Sequence, residues 1–205
     1  MSAASALSMA SHTEELSQVV ALNEASKSLL RHSLEINLHA LNAIVQSKQS
    51  GERLRGFDEV CGQIRGWSRQ LHAQLEALGG LGRDAVLTAS GFLRHRRIVA
   101  LLAAAAAETR RPEIATVVKD AQAALCARQE ALRLLWRRIV EAVDDLKQLA
   151  LMASVLSRSG MIEATAAESA ERARLEEVAH DFYVKSEQVV GIVRLLGKSM
   201  RDVTP

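Results

Sequence analysis

Apolar residues recur along this chain at alternating steps of four and three, over stretches much longer than an ordinary globular helix. The clearest run is Ile114, Val118, Ala121, Leu125, Arg128, Leu132, Leu135, Ile139, Ala142, Leu146, Leu149, Ala153 and Leu156, with Arg128 its one break. A 3.5-residue repeat held this long lays a single stripe along a supercoiling helix, so the helix must have partners. Leu16, Val20, Leu30, Leu34, Leu41 and Ile44 keep the same spacing earlier, with polar Asn23, Lys27 and Asn37 in the stripe. Phe57, Cys61, Ile64, Ser68, Leu71, Leu75 and Leu78 follow, and Leu175, Val178, Phe182, Lys185, Val189, Ile192 and Leu196 close the chain. Four long helices are predicted, and no strands. Pro112 suits a helix start, where its missing N–H leaves no bond unmade.

The two halves also resemble each other. Arg174-Leu-Glu-Glu-Val-Ala-His-Asp-Phe182 echoes Gly56-Phe-Asp-Glu-Val-Cys-Gly-Gln-Ile64, pairing Leu175 with Phe57, Val178 with Val60, Phe182 with Ile64, Val189 with Leu71 and Leu196 with Leu78. The second copy needs one extra residue in its turn. A duplicated helical hairpin follows: a flexible tail over 1–12, a first hairpin over 13–109 with its tip near 46–56, and a second over 110–205 with its tip near 160–172. The helix ends fall near 50, 109, 167 and 203, giving inner helices of similar length and an outer pair of similar length. Together they predict an all-α fold, a long antiparallel coiled-coil four-helix bundle made of two helical hairpins in one chain. Gly79, Gly80 and Gly82 each cost about 1 kcal/mol inside a helix, so a break is expected there.

Composition narrows this further. Aromatic residues are 3% of the 205, prolines number two, and 48% are hydrophobic, a mix that disfavours sheets. A net charge of +2 gives no field that by itself implies nucleic acid or an anionic membrane. Cys61 and Cys126 sit inside helical patterns rather than in a disulfide framework. The Ala/Ser-rich opening lacks the basic start of a signal peptide. The longest apolar stretch, 98–107, covers about half a membrane span. A cytoplasmic, soluble protein is expected.

One segment carries more than periodicity. Leu38, Ala40, Leu41, Asn42, Ala43, Gly51, Glu52, Arg55, Gly56, Phe57, Val60, Ile64 and Arg65 stand in an order and spacing that resembles the hairpin tip of the cytoplasmic signalling domain of methyl-accepting chemotaxis receptors. Ile162-Glu163-Ala-Thr-Ala-Ala-Glu168 resembles the same family's run before its turn. The resemblance implies a non-catalytic signalling protein whose tip binds the chemotaxis histidine kinase, its coupling protein or receptor signalling domains. Within one chain, two hairpins would imitate the receptor dimer as a monomer. The implied partner-binding residues are Leu34, Leu38, Leu41, Asn42, Gln46, Gln49, Glu52, Arg55, Phe57, Glu59 and Glu163. Gln46, Gln49 and Glu59 depart from the family's usual Glu, Arg and Val, which removes a charged pair and points to altered partners. Glu14 and Glu15 match half of the family's methylation pattern.

No catalytic constellation accompanies this, and no cofactor is expected. Asp144-Asp145 and Glu176-Glu177 are adjacent on helices, about 100° apart, so neither pair converges on one proton or metal. His39, His72 and His180 are the histidines to weigh for the alternative of a bundle holding haem or another small ligand. The basic cluster Arg94, Arg96, Arg97, Arg110 and Arg111 lacks interleaved aromatics and reads as a solvated helix end. A structural coiled-coil dimer is the third reading.

Overall fold

A computed structural model describes the backbone of residues 3–50, 55–109, 112–166 and 169–201. Within these, the side chains of 3–19, 46, 47, 49, 50, 55, 109, 112, 169–171 and 201 lie outside the described set. Four helices account for it: α1 (Ala3–Ser50), α2 (Arg55–Thr109), α3 (Pro112–Thr165) and α4 (Ser169–Arg201). No strand occurs among the described residues. The fold is the expected all-α four-helix bundle of two hairpins.

Contacts divide the chain into two compact units. One comprises residues 21–79 and 141–205 and holds four helical segments, one from each helix. Hydrogen bonds join these segments in a ring. The Ser68 hydroxyl donates to the Ser33 carbonyl between α2 and α1, and the Trp67 indole N–H donates to the Leu149 carbonyl, 2.7 Å, between α2 and α3. Ser154 donates to Glu187, 3.1 Å, between α3 and α4, and Lys185 donates to Glu35, 2.7 Å, between α4 and α1. Consecutive helices are therefore neighbours, while α1 faces α3 and α2 faces α4 across the core.

In the register set by these hydrogen bonds, the buried positions of the four segments group into sets of four. Ser26, Leu75, Val143 and Val193 form one, then Leu29, Leu71, Leu146 and Val189, all buried, with Leu22, Leu78 and Leu196 buried beyond them. Ser33, Ser68, Ala150 and Ser186 follow, then Ile36, Ile64, Ala153 and Phe182, then Ala40, Cys61, Ser157 and Ala179. Ala43, Phe57, Gly160 and Leu175 finish the stack beside the bends. In every layer the α1 and α3 members stand at one constant separation along the chain, and the α2 and α4 members at another, one residue larger. Burying a large aliphatic or Phe side chain contributes about 1.5–3 kcal/mol, so the bulky layers hold the bundle. Where small residues stand at the core, a side chain reaches a facing backbone directly, as the Ser68 hydroxyl does to the Ser33 carbonyl. Ser33 and Ser157 satisfy their hydroxyls on the carbonyls of Leu30 and Ser154 in the preceding turn, which removes much of the cost of burying them.

The start of α2 and the end of α3 lie side by side. A Cβ added at Gly56, just after the first bend, would collide with the Glu163 carboxylate, just before the second. Val60 packs 3.6 Å from the position a Cβ would take on Gly160. At the end of α3, the Thr165 hydroxyl donates to the Ile162 carbonyl, 2.7 Å, and the Ala166 N–H is shared by the carbonyls of Ile162 and Glu163.

The other unit comprises residues 1–20 and 80–140. Among its described residues Gly82, Ala85, Ala89, Phe92, Val99, Leu132 and Ile139 are buried. His95 Nε2 lies 3.2 Å from the Ala121 carbonyl oxygen, and a guanidinium nitrogen of Arg128 sits 3.3 Å from where a Cβ on Gly91 would be. Arg128, the polar break in the apolar run, is thus exposed and lies over a glycine.

Four expectations are corrected. The Ala-rich segment from Ala3 is helical rather than a flexible tail, as alanine's propensity favours. This lengthens α1 to 48 residues against 33 in α4, so the outer pair is unequal. The glycine cluster does not break α2, which runs through it. Leu78, Gly82, Ala85 and Ala89 keep a buried face across it, and that packing together with the flanking helical turns offsets the propensity cost. Finally, the inward stripe of α1 is not the one with the most leucines. It is Leu22, Ser26, Leu29, Ser33, Ile36, Ala40 and Ala43, one position removed; Asn23, Lys27 and Leu34 point outward. In α4, Ala179, Ser186 and Val193 are buried where Val178, Lys185 and Ile192 are only half-buried.

Candidate partner-docking site

The candidate residues fall into three sets. Leu34 and Leu38 are each 57% exposed, Asn42 and Glu59 are exposed and Leu41 is half-buried. Glu59 accepts a hydrogen bond from the Gln63 amide, 3.1 Å. Glu163 is half-buried and lies over Gly56, so it ties the two hairpins together near their bends. Phe57 is a correction: at 1% exposure it fills the last core layer, because its place in the buried heptad of α2 turns the ring inward. Gln46, Gln49, Glu52 and Arg55, with Glu14 and Glu15, lie outside the described side chains.

An exposed apolar strip therefore runs down α1. Helical geometry puts Leu34, Leu38 and Val45, the last 54% exposed, within about 40° of one another around the axis. Val45 escaped the sequence reading, which followed the family motif rather than the outward face. A strip on α3 escaped it too: Leu151, Val155 and Ile162 are 60%, 64% and 68% exposed. Carrying the α1 strip across at the separation that pairs the core layers would have found it.

The charge pattern at the seams is specific. Glu35 has its pKa lowered, first by the hydrogen bond from Lys185; burial opposes this as the next largest effect, and the charges of Lys185, His32 and Arg31 add smaller lowering contributions. The Cys61 thiol is pushed up to about 12 by burial and by the neighbouring Asp58 charge, which removes it from thiolate chemistry at neutral pH. Cys126 is exposed.

The remaining candidates do not assemble. His39 is half-buried on α1, His72 sits half-buried on α2 with Glu76 at 3.6 Å, and His180 is exposed on α4. His180 edges a shallow depression of about 250 Å³ with Met161, Thr165, Glu176 and Ala179. Among the described residues no three His, Cys, Asp or Glu side chains are placed to share a metal ion. Arg94 and Arg97 are exposed and Arg96 is half-buried, while Arg110 and Arg111 lie outside the described residues. No described helix is long and apolar enough to cross a membrane. No protein-family model matches the chain, and neither does any curated protein sequence.

Proposed function

We propose that this protein is a non-catalytic, chemoreceptor-like signalling protein of the cytoplasm, which docks through the bend end of its bundle. Its partner is the chemotaxis histidine kinase, the coupling protein or a receptor signalling domain. The observation that carries this reading is the exposed Leu34, Leu38 and Val45 strip on α1, leading toward a bend whose sequence resembles the receptor tip. Supporting it is the pairing of the core layers, by which one chain builds what two identical hairpins would build as a dimer. A large apolar strip left in water on a well-packed bundle marks an interaction surface. Gln46, Gln49 and Glu59, where the receptors carry Glu, Arg and Val, fit a role as a competitor or adaptor rather than a standard kinase activator.

The test is binding of the purified chain to the purified coupling protein and kinase by surface plasmon resonance. Binding is expected, with Leu38→Glu weakening it at least about tenfold, the size of losing one buried leucine contact. Absence of binding to either protein, and to receptor signalling fragments, refutes the reading.

A further inference from the structure

We infer that the bundle carries two docking strips, one on α1 and one on α3, each of which takes an amphipathic helix whose apolar face is edged by acidic side chains. The inference goes beyond the proposed pathway, since it fixes the number of sites and the chemistry of the occupant and does not depend on which protein supplies it.

The strips correspond residue for residue. Leu34, Leu38 and Val45 on α1 stand to Leu151, Val155 and Ile162 on α3 at the same separation that relates every α1 and α3 member of the core layers. All six are more than half exposed. Because α1 and α3 face each other across the core, their outward faces lie on opposite sides of this unit. Two occupants can therefore sit at once without touching. Each strip covers three turns, about 16 Å, which matches one short helix laid along it.

Charge selects the occupant. Arg31 and Lys48 flank the α1 strip and are exposed, and the exposed Arg158 lies within the α3 strip. Acidic groups near α1 are already engaged, Glu24 with Lys27 and Glu35 with Lys185. A second copy is the weaker occupant of the α1 strip. The antiparallel pairing that sets Leu34 against Val45 also sets Arg31 against Lys48, a like-charge contact at two symmetric places. An acidic-edged helix meets the same leucines with the charges reversed. The α3 strip has the exposed Glu187 at its margin, hydrogen-bonded by Ser154. It therefore holds the same kind of helix more weakly.

The probe is a synthetic amphipathic peptide with leucines on one face and glutamates on both edges, titrated into the whole chain by calorimetry at low salt. Two peptides bound per chain are expected, the weaker by about tenfold. The double variant Leu34→Glu, Leu38→Glu should remove the tighter site alone, and Leu151→Glu, Val155→Glu the weaker alone. Unchanged helical circular dichroism confirms that each variant stays folded, as expected for exposed positions. Raising salt tenfold should weaken the tighter site at least about fivefold. A stoichiometry of one or none overturns the inference. So does equal binding of the peptide with lysines in place of glutamates, or self-association of the chain through either strip in analytical ultracentrifugation.

Discussion

Trp67 in the first hairpin and Lys185 in the second occupy the same register, and they close their seams in opposite ways. Trp67 is 4% exposed and gives its indole N–H to the Leu149 carbonyl between α2 and α3. Lys185 reaches the Glu35 carboxylate between α4 and α1, with both side chains still partly in water. One seam is dry and neutral, the other wet and ionic. The layers beneath them are nonetheless the same, so the backbone arrangement depends on the inward residues and the seams are free to diverge. That freedom is how one chain can keep a two-fold core and present two unlike faces.

The sharpest way to break this equivalence is to empty matched core positions. Phe182→Ala should cost about 4 kcal/mol in chemical denaturation and Phe57→Ala somewhat less, because the layer beside the bends can relax more easily. Leu29→Ala and Leu146→Ala, members of one layer and both fully buried, should each cost about 3 kcal/mol. A gap between them wider than about 1.5 kcal/mol would deny the two hairpins equal shares of the core.

Smaller effects probe the seams. Trp67→Phe should cost about 1 kcal/mol through the lost hydrogen bond, and the loss should not depend on salt. Lys185→Met should cost less than that, since an ion pair this exposed is screened, and its cost should shrink in high salt. The pH dependence has a definite sign. Glu35 has a folded pKa below its unfolded value of 4.5, so its stabilising contribution is fully present above pH 4.5 and fades as pH falls through the lowered folded value. In Lys185→Met that acid-side loss should largely disappear, measured as the change in denaturation midpoint between pH 6 and pH 3. The smallest perturbation is chemical labelling: at pH 8 a thiol reagent should modify Cys126 within minutes and Cys61 only on unfolding, as burial and the pKa of about 12 require. Equal rates at the two cysteines would mean that the alanine-rich layer around Cys61 opens in the native state.

The sequence alone determined the number and type of the elements, because a four-and-three spacing sustained over dozens of residues has no other stable outcome. It also determined the inward face of α2, where Phe57, Cys61, Ile64, Ser68, Leu71, Leu75 and Leu78 are all buried. It did not determine the inward face of α1. Two stripes one residue apart compete on that helix, and the leucine-richer one faces out, because the layers need Ser26, Ser33, Ala40 and Ala43 where the helices crowd. Hydropathy rewards size, while packing at a close approach rewards smallness. The same tertiary fact left Leu34 and Leu38 in water, buried Phe57 among the candidate residues, and put a second exposed strip on α3 that no motif announced. Continuity of α2 across its glycines was likewise decided by packing, since local propensity argued against it.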